Sequence, residues 1–302
     1  MIELAALNAR HGIPGQVTFI EGPGGLVVGE VSNAHASATL VLQGAQVLTW
    51  APHGQSPVIW LSRAARFTPG KSIRGGAPVC WPWFGPHATD SSLPAHGFAR
   101  TVPWEMIETR ALDDGATELA MTLVENDQTR AMWPYRARLS LRATVGRTLT
   151  LELTTLNAGN EDFVIGEALH TYFEIGDIAD IRITGLEGGE YLDKVGGGSA
   201  RRRQDGPISF AAETDRIYLN TDAECVIEDA RLTRRIRIAK SGSRSTVVWN
   251  PWVAKADKMG DLGQDGWRGM VCVESANAAD NVITVKAGAS HTLAVEYRVE
   301  SL

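Results

Sequence analysis

The chain has 302 residues, of which 44% are hydrophobic and 21% charged, enough apolar material for a sizeable core in a soluble globular protein. A net charge of −6 weighs against nucleic acid and acidic membrane surfaces as partners, but leaves small anions open because they see only their local site. The cysteines, Cys80, Cys225 and Cys272, are odd in number, scattered and without a CxxC pair, which fits reduced thiols in a cytoplasm better than a disulfide framework.

The opening Met1-Ile2-Glu3-Leu4 carries an early acid and no basic region before an apolar stretch, so it does not read as a signal peptide, and residues 1–20 read as a lead-in. No run approaches the length of a membrane span. From Ser37 onward, short β-branched runs are broken by Gly, Asn, Asp and Pro. They are Ser37-Leu42, Ala45-Ala51, Pro57-Leu61, Thr117-Val124, Arg136-Val145, Thr148-Asn157, Asp162-Phe173, Ile181-Thr184, Glu224-Asp229, Arg234-Ala239, Ser245-Asn250, Gly269-Glu274 and His291-Val299. Many alternate with period two, as in Thr148-Leu149-Thr150-Leu151-Glu152-Leu153-Thr154, where the leucines share one face. Regular short strands with turn signals between them predict an all-β sandwich or barrel. One short helix is predicted over Asn126-Met132, ended by Trp133-Pro134. No linker or composition shift divides the chain, so 1–302 is expected to be one domain. The stretch Val195-Gly196-Gly197-Gly198-Ser199 with Arg201-Arg202-Arg203 reads as a mobile surface loop.

Several runs carry chemistry. Gly75-Gly76, after Arg74, allows close backbone approach, and Trp81, Trp83 and Phe84 offer flat apolar surface able to pack on a sugar ring. A Trp-rich core corner with a surface Arg would explain the same residues. His96-Gly97-Phe98-Ala99-Arg100 sets a His and a guanidinium four residues apart, suited to phosphate or sugar oxygens. His87 and His96 match no zinc spacing and lack a nearby carboxylate or thiolate, so no metal is expected on them. On a strand, His170 shares a face with Ala168 and Tyr172, and Glu274 with Met270 and Cys272. Burial beside apolar neighbours would raise the Glu274 pKa, which suits a general base near neutral pH. Core packing for His170 and a solvated strand end for Glu274 are the ordinary alternatives. Asp215 sits just before a probable strand, where turn chemistry explains it as well as ligand binding does. No Walker loop, GxGxxG after a strand, GxSxG or HExxH is present.

Taken in order and spacing, these runs resemble the aldose 1-epimerase (mutarotase) superfamily, and within it the glucose-6-phosphate 1-epimerase branch. The resemblance rests on Ile73-Arg74-Gly75-Gly76-Ala77-Pro78 with Trp-Pro-Trp-Phe-Gly after it, His96-Gly97-Phe98-Ala99-Arg100, and Glu167-Ala168-Leu169-His170-Thr171-Tyr172-Phe173. It continues in Thr214-Asp215-Arg216-Ile217-Tyr218, Val248-Trp249-Asn250-Pro251-Trp252 and Cys272-Val273-Glu274. It implies a galactose-mutarotase-like β-supersandwich, catalytic His170 and Glu274, substrate contacts from Arg74, Arg100 and Asp215, and His96 lining the site. It also implies a cytoplasmic enzyme without cofactor or metal that interconverts the anomers of a phosphorylated hexose, with a monomer slightly favoured. A mutarotase for free aldoses and a non-catalytic sugar-binding protein are the competing readings. The branch often has Gln before its His-Gly-Phe-Ala-Arg run, and here that residue is Ala95, which removes one side-chain contact to a sugar hydroxyl. Glu167 is expected to favour a protonated His170.

Overall fold

Period-two alternation closes this chain into sheets. In strand Leu149–Asn157, Leu149, Leu151 and Leu153 are wholly buried while Thr150, Glu152 and Thr154 are half-buried on the other face. The computed structural model describes residues 3–302 and is built on two eight-stranded antiparallel sheets. One runs Ile181–Thr184, Cys225–Asp229, Arg234–Ser241, Ser290–Ser301, Leu149–Asn157, Ala137–Val145, Thr117–Leu123 and Trp104–Ala111. The other runs Ala200–Arg203, Glu190–Asp193, Thr214–Tyr218, Ser245–Asn250, Met270–Asn277, Glu167–Leu169 and Val79–Cys80, with Tyr172–Glu174 also paired to Met270–Asn277. We call them the outer sheet and the site sheet.

The sheets face each other across the core. Trp81 beside the site sheet donates its indole N–H to Thr155 Oγ1 of the outer sheet at 3.0 Å. The Thr171 hydroxyl meets the Tyr297 hydroxyl at 2.6 Å, and Phe173 packs edge-on against Tyr297 with ring centroids 5.1 Å apart. These buried polar contacts are satisfied across the sandwich, so they fix the relative position of the layers at little desolvation cost. A four-stranded sheet of Val17–Glu21, Val27–Ser32, Ala36–Val41 and Gln46–Pro52 abuts this body, and its Val47 bridges to Ala77 next to the site. Among the described residues no helix is long and apolar enough to cross a membrane.

Most predicted strands appear within a residue or two, and Ile181–Thr184 and Ser245–Asn250 match at both ends. The predicted helix is Asp127–Met132, with Asn126 and Thr129 forming a reciprocal capping box. Three expectations need correction. The run Asp162-Phe173 is three short strands, broken where Gly166 N–H turns to Pro82 O and His170 N–H to Pro78 O. The Pro57-Leu61 run makes only isolated bridges, Ile59 to Phe173 and Leu61 to Gly75. Ala200–Arg203 is a strand and not a loop, because Arg201 pairs with Glu190 and Asp280, and Arg202 with Asp193. Within the lead-in, helix Leu4–His11 and strand Val17–Glu21 form, the latter as a full member of the four-stranded sheet.

Candidate active site

All eight residues of strand Met270–Asn277 are buried. Val271 and Val273 enter the main core, while Met270 and Cys272 face the opposite way into a cluster with Trp60, Tyr172 and Trp249. Period-two alternation places Glu274 on that second face, 1% exposed. His170 lies at the break between Glu167–Leu169 and Tyr172–Glu174, stacked on the Tyr172 ring at 5.1 Å between centroids and 13° between planes. Residues about a hundred positions apart thereby meet: His170 Nε2 lies 3.4 Å from Glu274 Oε1. Glu274 Oε2 and His170 Nδ1 are buried without a hydrogen-bond partner among the described residues. An unpaired buried polar atom is costly, and such atoms concentrate where a ligand completes the site.

Burial shifts both groups of the pair towards their neutral forms. Burial, and then the nearby Asp215 carboxylate, holds Glu274 well above the usual carboxylate range, with Arg100 pulling the other way. Burial drives His170 well below the ordinary imidazole value, assisted by His96, Arg100 and Arg74. His96 packs edge-on to His170 at 5.7 Å and is itself lowered to about 3 by burial and by Arg100 and Arg74. It is a neutral ring that can both donate and accept.

The pair forms part of the lining of an open cavity of about 530 Å³ that also takes in Phe84, Asp215, Trp249 and Lys194. All six predicted site residues, Arg74, His96, Arg100, His170, Asp215 and Glu274, line this one cavity. Gly75 and Gly76 make that possible: a Cβ on Gly75 would sit 2.7 Å from Leu61 Cα, and one on Gly76 2.4 Å from Val47 O. Arg74 donates to Asp261 Oδ1 at 3.1 Å and to the Tyr172 hydroxyl at 2.9 Å. Burial opposes its charge, but Tyr172 and Asp261 outweigh burial and hold it protonated. Arg100 makes no ion pair among the described residues and donates to the backbone oxygen of Ala95 at 2.9 Å. Ala95 therefore contributes through its main chain and does not line the cavity. Asp215 is raised by burial, with Lys255 opposing at 3.9 Å. A second cavity of similar volume, lined by Trp60, Arg63, Glu174 and Asp265, brings no imidazole to its carboxylates.

Two details differ from expectation. Trp81 belongs to the core and Trp83 bonds to Pro94 O, so of the three expected aromatics only Phe84 walls the cavity, joined by Trp249. Glu167 does not support His170: its Oε1 accepts from His291 Nε2 and Asn277 Nδ2, each at 2.9 Å, and raises His291. Sequence reasoning missed Lys194, Lys255 and Asp261. Lys194 immediately precedes the Gly-rich turn, so its position was visible but its direction was not. Asp261 lies on the irregular segment after helix Trp252–Ala256, where no period-two or helical signal points to a site.

A cavity lined by an imidazole–carboxyl pair on one side of a large β-sandwich is equipped to move protons on a bound small molecule. The aldose 1-epimerase family model matches residues 29–298, and the chain belongs to that family of epimerases. A Salmonella typhimurium protein with the provisional name glucose-6-phosphate 1-epimerase is 40% identical over 248 residues, 82% of each chain. A crystal structure provisionally described as a mutarotase from the same organism superposes with a TM-score of 0.89 at 35% identity, covering 97% of this chain and 96% of that one. A galactose mutarotase related enzyme from Lactobacillus acidophilus, 14% identical with a TM-score of 0.71 over 90% and 97% of the two chains, shares the galactose-mutarotase-like fold.

Proposed function

We propose that this epimerase interconverts the α and β anomers of a hexose 6-phosphate, glucose 6-phosphate first among them. The observation that carries the reading is the 3.4 Å contact of His170 and Glu274 in a cavity also lined by Arg74, Arg100, Lys194 and Lys255. A cyclic hemiacetal opens when one group removes the proton of the C1 hydroxyl and another delivers a proton to the ring oxygen. Glu274 is the base at O1 and His170 the acid at O5. Rotation about C1–C2 presents the other aldehyde face, and the reverse transfers close the second anomer. The net reaction is redox-neutral and forms no carbanion. Arg74, Arg100, Asp215 and His96 hold the sugar phosphate, and Phe84 and Trp249 wall the ring.

The cations suit a phosphate for two reasons. A guanidinium matches phosphate oxygens in geometry and charge. A dianion bound here also offsets the positive charge of Arg74 and Arg100, which adds to burial in lowering His170. That makes His170 easier to protonate, as its acid role requires. The name carried by the Salmonella typhimurium relative points the same way.

The experiment is a comparison of anomer exchange rates on glucose 6-phosphate and on glucose at equal concentration. The phosphorylated sugar should react at least about tenfold faster, the worth of one charge-assisted hydrogen bond. Equal or faster exchange of free glucose would overturn the phosphate reading in favour of a free-aldose mutarotase.

A further inference from the structure

Cys272 has no part in the chemistry above, yet it lies beside both reacting groups. It precedes Glu274 by two residues on one strand, so both side chains leave the same face. Its thiol is fully buried. One ring nitrogen of His170, Cys272 Sγ and one Glu274 carboxylate oxygen all lie within 4.8 Å of one another. Glu274 Oε2, 1% exposed at the residue level, has no hydrogen-bond partner among the described residues and is available as a ligand.

We propose that His170, Cys272 and Glu274 form a binding site for a thiophilic divalent cation of the Zn²⁺ class, and that a cation bound there blocks catalysis. The inhibitory half rests on the roles of His170 and Glu274 under Proposed function; the binding half does not.

The geometry suits zinc. Bonds of about 2.0–2.2 Å in a tetrahedron place nitrogen and oxygen ligands about 3.4 Å apart. His170 Nε2 and Glu274 Oε1 are 3.4 Å apart already. A thiolate at about 2.3 Å from the metal would lie about 3.6 Å from each of the others. The 4.8 Å bound on the present separations therefore asks each sulfur separation to shorten by no more than about 1.2 Å, the difference of the two figures. Imidazole, thiolate and carboxylate together select borderline-soft cations over Mg²⁺ and Ca²⁺, which take all-oxygen sets. Three ligands leave the fourth position to water from the cavity.

Charge and protons balance. Binding releases the thiol proton of Cys272 and the carboxyl proton of Glu274 to solvent through the cavity, with no change of oxidation state. The cation with its thiolate and carboxylate is neutral, so Arg74 and Arg100 do not oppose the complex as they would a bare cation. While it is bound, neither His170 nor Glu274 can exchange a proton with a sugar.

The test titrates the full-length, metal-free protein with Co²⁺ alone and follows the thiolate-to-cobalt charge-transfer band in the near ultraviolet. The expected result is one equivalent of cobalt, a band displaced by Zn²⁺, and loss of that band in C272A and C272S but not in C80A. C272S is nearly isosteric and keeps the test informative where C272A fails to fold. In activity assays, Zn²⁺ should inhibit the wild type, and half-inhibition should need at least about tenfold more zinc in the Cys272 variants. Absence of the band in wild type, its survival without Cys272, or equal zinc sensitivity overturns the proposal. A cobalt site that depends on Cys272 in a protein inert toward sugars would leave the site standing and remove the functional reading instead.

Discussion

Two strands at the centres of the two large sheets differ in one respect that separates scaffold from site. Leu149–Asn157 of the outer sheet alternates, with leucines inward and Glu152 half-exposed on the other face. Met270–Asn277 of the site sheet is buried on both faces, and its Glu274 is 1% exposed with an unpaired oxygen. Each is a glutamate on an antiparallel strand paired on both edges. What differs is the cover: helix Trp252–Ala256, the segment carrying Asp261 and the loop carrying His96 and Arg100 close over the second face of the site sheet. Burial raises the covered carboxyl of Glu274 above the usual carboxylate range, which suits a tuned acid–base group.

Mutations can break this contrast. Glu274→Gln should lower kcat by about 10²–10⁴, the usual worth of a positioned proton-transfer group, while Glu152→Gln should leave it within about twofold. Equal small effects of both, read by anomer-exchange NMR, would erase the distinction between the strands. Next in size is Arg100→Ala. Loss of a charge-assisted contact should reduce kcat/KM for the sugar phosphate by about 10–100-fold and spare free glucose.

Stability gives the contrast a second form. Glu274 holds its proton well above its unfolded value, so the native carboxyl costs nothing below the unfolded pKa and loses stability as pH rises towards the folded one. Glu274→Gln should therefore melt like wild type near pH 4 and above wild type at pH 7. Thermal melts at the two pH values decide this. The smallest effect belongs to Asp261→Asn. The Arg74–Asp261 pair is a quarter exposed on each side, so its loss should raise KM by about twofold to fivefold with kcat unchanged.

Much of the site sheet could be read from the sequence, because period-two runs such as Ser245–Asn250 carry their own register. His170 and Glu274 could be read as unusual residues on apolar strands. Their meeting could not, since it depends on the antiparallel pairing of Leu169 with Ser275 and Tyr172 with Cys272, contacts about a hundred residues apart. Family resemblance supplied that link. Asp261, Lys255 and the re-pairing of Glu167 with His291 stayed invisible for another reason: irregular segments and side-chain partners leave no periodic trace. The arginine run shows the opposite error, for Arg201–Arg203 reads as a mobile loop in sequence and lies on a strand, with Arg201 and Arg202 in surface ion pairs.

The central claim is that His170 and Glu274 move the two protons of ring opening. Anomer-exchange NMR on glucose 6-phosphate, with wild type, Glu274→Gln and His170→Asn side by side, tests it most directly. The account predicts fast exchange with wild type and exchange close to the spontaneous rate with either variant. Exchange at the wild-type rate in either variant would contradict it.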